Sequence, residues 1–285
     1  MFVARNLFVN AVNSCQALKV VFPDSEEDFN VLQNGFQAKS THGLIQGCVG
    51  CIDGLLIEIK HPSERERGNS PNSYYSGYYC CYGLNIQAVC DVNMHLIFFS
   101  VAAPGKSSDQ AALEKTSLHS IISKLPLGLY VIGDAAYTVS DQMLVPFTGS
   151  NHQNPNKDAY NYFLSQMQIQ IEMSFGLLTN KWQVLQSKMV TSLSCSSEII
   201  MATSRLHNYV ITEDLETNSD PKLIQIATGS PLIWGNCPTT ERLDPICGTS
   251  QVHDIILRQV AQHGLRQPSH NLEQRRVELH EIGLM

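Results

Sequence analysis

Three acidic residues stand where an apolar run ends or a helical period turns, and their settings constrain the fold more than any other feature of the chain. They are Asp53 in Cys51-Ile52-Asp53-Gly54, Asp134 in Ile132-Gly133-Asp134-Ala135-Ala136-Tyr137, and Glu172 in Ile169-Gln170-Ile171-Glu172-Met173-Ser174-Phe175-Gly176. The first two end or interrupt apolar, β-branched runs, the mark of strands, whereas the third lies inside a helical period. Folding that gathers two strand ends and one helix would present carboxylates to divalent metal. Phosphoryl transfer needs that arrangement, because Mg²⁺ is held by few carboxylates, keeps waters and binds substrate phosphate.

The pattern around these residues predicts strands over 48 to 60, 83 to 91, 95 to 102 and 128 to 133, with a helix over 108 to 123 before the last of them. Three consecutive strands, then helix, strand and further helices, describe an α/β chain with a mixed sheet. Apolar residues at 160, 163, 164, 167, 171, 175 and 178 predict a helix over 158 to 178 that carries Glu172 beside its buried stripe. Another helix is expected over 194 to 211. Upstream, Leu7 to Leu18 and Asp28 to Phe36 read as helices, and the Ser-, Asn- and Tyr-rich stretch 61 to 82 reads as a long exposed loop or hairpin. The expected division is a helical N-terminal segment over 1–45, a catalytic domain over 46–212, and a mostly flexible tail over 213–285 with a helix near 252 to 263.

At 285 residues, 43% hydrophobic and 16% charged, the chain can bury a sizeable core. No run of about 18 apolar residues exists, so no membrane span is expected, and the first residues lack a secretory h-region; the expected setting is intracellular. Nine cysteines, an odd number, suggest reduced thiols. Cys48 and Cys51 lie in an expected strand, where residues three apart face opposite ways, and Cys80 and Cys81 are adjacent, so buried thiols are favoured over structural zinc.

The net charge of −7 argues against a generic basic nucleic-acid binder. Basic and acidic residues number 3 and 4 over 1–45, 10 and 12 over 46–212, and 6 and 10 over 213–285. If four carboxylates of the middle region hold cations, its working charge is close to neutral or positive, and DNA remains an admissible partner.

Six ordered motifs resemble a known family, the DDE endonucleases derived from PIF/Harbinger transposases. They are Gly50-Cys51-Ile52-Asp53-Gly54, Asn85-Ile86-Gln87-Ala88-Val89-Cys90-Asp91, Ala103-Pro104-Gly105-Lys106-Ser107-Ser108-Asp109, Gly133-Asp134-Ala135-Ala136-Tyr137, Ile171-Glu172-Met173-Ser174-Phe175-Gly176 and Leu206-His207-Asn208. The resemblance implies an RNase H-like mixed sheet flanked by helices, with Asp53, Asp134 and Glu172 as catalytic carboxylates. The 37 residues between Asp134 and Glu172 are near the mid-thirties spacing usual in the family. It further implies Asp109 as an additional metal ligand, Mg²⁺ or Mn²⁺ as cofactor, DNA as substrate, the nucleus as location and a homodimer. Against that resemblance, the N-terminal DNA-binding module of a complete transposase is expected to be absent or reduced here, with a separate DNA-binding partner protein to supply its role.

Each residue alone has a plainer reading. Asp53-Gly54 and Asp109 could turn or cap the chain, and Asp91 suits a turn. His207-Asn208, in an otherwise apolar helix, reads as a buried hydrogen-bonded pair rather than a ligand or base. Tyr74, Tyr75, Tyr78, Tyr79 and Tyr82 could stack bases or simply furnish a surface hairpin. Tyr79, Cys80, Gln168 and Gln170 stand where many family members carry Arg or Lys. They leave open an alternative function, a catalytically silent transposase-derived binding or interaction module.

Overall fold

The computed structural model describes residues 2–68, 72–149, 154–217 and 250–266. Its elements in chain order are α1 (Phe2–Ser14), α2 (Glu26–Lys39), β1 (Cys48–Glu58), α3 (Glu64–Arg67), β2 (Tyr75–Ser76), β3 (Cys81–Cys90), β4 (Leu96–Pro104), α4 (Asp109–Leu113), α5 (Ser117–Ile122), β5 (Tyr130–Ile132), β6 (Met143–Leu144), α6 (Pro155–Lys181), α7 (Leu193–Thr217) and α8 (Gln251–Gln262). The strands form a mixed sheet in the order β2-β3-β1-β5-β6, with β4 also paired to β3. This is the α/β, RNase H-like mixed sheet flanked by helices that the sequence predicts. Among the described residues no helix is long and apolar enough to cross a membrane.

The contacts divide the chain into two compact units, neither of them one continuous stretch. One contains the residues up to Pro23, Ile52–Ser120, and the chain from Gln170 through α7. Its centre is the antiparallel pair β3·β4, in register at Gln87↔Ser100 and Ala88↔Phe99. β3 is buried from Gly83 to Cys90 and includes two amides, Asn85 and Gln87, which therefore need partners inside the protein. Asp91 closes the β3–β4 turn as expected, its Oδ1 accepting from the N–H groups of Asn93 and His95, each at 2.8 Å. α7 packs on β4 and on α1. Asn13 donates to the Glu198 carbonyl at 3.0 Å, and Arg205 to the Cys15 carbonyl at 3.2 Å.

The other unit contains Asp24–Cys51, Ile121–Ile169 and α8. Here the buried start of β1 runs parallel to β5, with Cys48↔Tyr130 and Cys51↔Ile132 in register, and β5 runs parallel to β6. Such continuous apolar runs are what a strand covered on both faces requires. α2 starts at Ser25, whose Oγ accepts the Asp28 N–H, and buries Phe29, Leu32 and Phe36 at helical spacing. α8 docks through a buried histidine. Ser250 N–H donates to His253 Nδ1 at 3.2 Å, which leaves Nε2–H to donate to the Val145 carbonyl at 3.0 Å, with the ring packed against those of Phe147 and Tyr160.

Several boundaries differ from the sequence reading for identifiable reasons. The first helix ends at Ser14, and Gln16–Leu18 forms a separate short turn because Cys15 is extended. The expected helix over 108 to 123 is two helices, with Thr116 between them. Its hydroxyl donates to the Leu113 carbonyl and accepts the Leu118 N–H, ending one helix and starting the next. In the predicted tail, α7 extends to Thr217 and α8 is present; the rest of that expectation, residues 218–249 and 267–285, lies outside the described residues.

Candidate active site

Asp53 marks the point where β1 ceases to be fully buried. Cys48 through Ile52 are buried, Asp53 and Gly54 are half-buried, and Asp53 Oδ1 accepts the Gly54 N–H at 2.7 Å. Asp134 occupies the corresponding place after β5, whose three residues and Gly133 are buried. Its Oδ1 accepts the Ala136 N–H at 2.8 Å, and its carbonyl accepts the Tyr137 N–H at 3.3 Å. The carboxyl ends of parallel strands are where α/β sheets place their chemistry, and Asp134 stands at that end of β5, whereas Asp53 lies inside β1, just past Cys51, the last residue in register with β5. Glu172 is exposed on α6, at the flank of the stripe formed by Met167, Ile171, Phe175 and Leu178.

Among the described residues, no three His, Cys, Asp or Glu side chains are gathered closely enough to hold a metal ion. The donor chemistry nevertheless fits a hard cation, because all three candidates are carboxylates that are at least partly exposed. Cys48 and Cys51 are engaged separately: Cys48 Sγ points to the Gly50 carbonyl and Cys51 Sγ to the Met167 carbonyl.

Asp109 has a different setting from the other carboxylates. It opens α4, and its Oδ1 accepts from Asn85 Nδ2 at 3.0 Å and Gln87 Nε2 at 3.4 Å. Gln87 Nε2 also donates to Asn85 Oδ1, and Asn85 Nδ2 to the Ser107 carbonyl. A Cβ added at Gly54 would fall inside the Asp109 carboxylate, 2.6 Å from its Cγ. The Asp109 carboxylate therefore abuts β1 on the Gly54 side, and strand alternation turns Asp53 to the other face.

His207 and Asn208 are structural, as the sequence suggests, but their partners lie on the β3–β4 hairpin. His207 Nε2 is 3.1 Å from the Met94 carbonyl and 3.2 Å from Ser174 Oγ, which itself donates to Met94. Met94 offers only an acceptor, so Nε2 carries the proton, and burial holds this imidazole down to about 4. Asn208 bonds both the N–H and the carbonyl of Leu96, at 2.8 and 2.7 Å. Ser174 lies on α6 two residues from Glu172, so this clamp fixes the helix turn that carries it.

Sequence reasoning missed two roles. Asn85 and Gln87 entered the sequence reading only within an expected strand and a motif of the resemblance, without a role for their side chains, although amides in a buried strand signal a partner. Glu66 was passed over, yet Ser63-x-x-Glu66 is a capping-box pattern. Its carboxylate accepts from Ser63 and from the Leu193 N–H, tying the segment after β1 to the start of α7. Those bonds, the Ser63 hydroxyl first, lower it to about 2.

With the geometry in view, comparison with known proteins assigns the class: residues 52–208 match the family of DDE superfamily endonucleases, and the chain belongs to it. The resemblance to the PIF/Harbinger-derived members drawn from its motifs stands. Among curated proteins it is similar to the Protein ALP1-like of Arabidopsis thaliana, 23% identical over 64% of this chain and 47% of that protein. It is likewise similar to the Putative nuclease HARBI1 of Mus musculus, 25% identical over 70% of this chain and 55% of that one. The chain thus spans about half the length of these relatives. No solved structure matches it.

Proposed function

We propose that the chain is a divalent-metal-dependent DNA endonuclease of transposase descent, acting in the nucleus, with Asp53, Asp134 and Glu172 as its catalytic carboxylates. The observation that carries this reading is that the matched region, 52–208, contains all three residues. Bound Mg²⁺ or Mn²⁺ would supply activation of a water or a DNA 3′-hydroxyl and stabilisation of the leaving oxygen. The protein's part is to hold the ligands. Asp53 and Asp134 adjoin buried strand residues, and Glu172 projects from a helix turn fixed by Ser174 and His207, so each carboxylate is offered from backbone that is held in place. A DNA-binding partner protein and a homodimer would supply the grip that a net charge of −7 does not.

That charge favours one second reading, a catalytically silent module that binds DNA or protein. Nicking of supercoiled plasmid by the purified chain decides between them. The nuclease reading expects nicked product with Mn²⁺ or Mg²⁺ and none with EDTA. Absence of nicking together with absence of saturable metal binding would leave the silent module.

A further inference from the structure

Gly54 follows Asp53 directly, and the space its missing side chain leaves is filled by another motif. The Asp109 carboxylate occupies it from the face of β1 opposite Asp53, with Gln87 Nε2 3.0 Å from where a Gly54 Cβ would stand. Asn85 and Gln87, both buried on β3, direct N–H groups at the same oxygen, Oδ1. Three motifs that look independent in sequence thereby meet: Asn85-Ile86-Gln87 and Ser107-Ser108-Asp109 through hydrogen bonds, and Asp53-Gly54 through close packing of the Asp109 carboxylate on Gly54. Ser108 caps the helix that Asp109 opens, its Oγ accepting the Ala111 N–H at the start of α4.

We propose that Asp109 is a positioning residue for Asp53, not a metal ligand: it docks into the Gly54 notch, completes the Asn85–Gln87 amide pair and sets the backbone from which Asp53 projects. The part concerning metal rests on Asp53 being a ligand, as proposed above. The docking itself does not.

The two roles respond oppositely to one substitution. A ligand needs the charge of Asp109, whereas the dock needs only an oxygen that accepts two N–H bonds, and an asparagine Oδ1 supplies that. In the full-length chain, Asp109→Asn is expected to bind Mn²⁺ within about threefold of the native affinity, while Asp109→Ala weakens it about tenfold or more, the usual range for loss of an outer partner. Gly54→Ala should lower the denaturation midpoint strongly in the native background and much less beside Asp109→Ala, because its clash is with that carboxylate. Equal loss of Mn²⁺ binding in Asp109→Asn and Asp109→Ala, with the Asp109→Asn midpoint unchanged, would overturn the proposal in favour of a ligand. Additive stability effects of Gly54→Ala and Asp109→Ala would overturn the docking itself. Should the native chain bind no Mn²⁺, the nuclease reading fails, and the stability cycle still decides whether Asp109 docks at Gly54.

Discussion

The partly exposed carboxylates Asp53, Asp134 and Glu172 contrast with the polar groups that hold the β3–β4 turn, of which Ser174 and His207 are buried and Asn208 is half-buried against the buried Leu96. Asp53 and Asp134 each accept a backbone N–H one or two residues ahead, local bonds that a torsion change can exchange for a cation. His207, Ser174 and Asn208 are bound instead to backbone far away in sequence, at Met94 and Leu96. A polar group near water can change partners at little cost, whereas a buried one cannot lose its partner without a desolvation penalty. The first set therefore suits chemistry and the second architecture. The assignment follows from surroundings, not from residue type.

Substitution should separate the two sets. The largest effect is expected for Asp53→Ala, Asp134→Ala and Glu172→Ala, each lowering metal-dependent nicking by about 10³-fold or more. Glu172→Ala should at the same time shift folding stability by less than about 0.5 kcal/mol, as is usual for an exposed side chain. Measuring both nicking and denaturation would break the contrast if the activity loss followed unfolding.

The buried histidines give the next effect. Burial holds His207 at about 4 and also holds His253 below its ordinary value, so the unfolded chain takes up protons first as acid is added. The contribution of His207 is complete above about pH 6.5 and is lost as pH falls towards 4, amounting to about 3 kcal/mol, and His253 adds a loss of the same sign. Denaturant midpoints across that window should fall steeply in the native protein and less steeply in His207→Gln.

Asn208→Ala should cost about 2 kcal/mol by leaving the Leu96 N–H and carbonyl unpaired, with little change in metal affinity. The smallest effect belongs to Glu66. Its depressed carboxyl contributes stability above about pH 4.5 that is lost as pH falls towards 2, so Glu66→Gln should flatten only that acid limb.

Much of this arrangement was legible in the sequence because its periods are long. The 27-residue helix α6 and the ten-residue strand β3 repeat their patterns often enough to be read, with ends displaced by only a few residues. β6, two residues, and β2, also two, are too short to show any period. The break at Thr116 depends on a hydroxyl that can serve two helix ends, and composition does not reveal that it does. The carboxylates were found from their motifs. The Asp109 dock was not, because alternation along β1 tells which face Gly54 presents but not which residue 55 positions later comes to fill it.

Mn²⁺ titration of the native chain beside Asp53→Asn, Asp134→Asn and Glu172→Gln, with folding checked for each, tests most directly whether the three carboxylates act together. Saturable binding in the native protein, weakened about tenfold or more in every variant, is the predicted result. Binding that any one of the three variants retains in full would contradict a shared site.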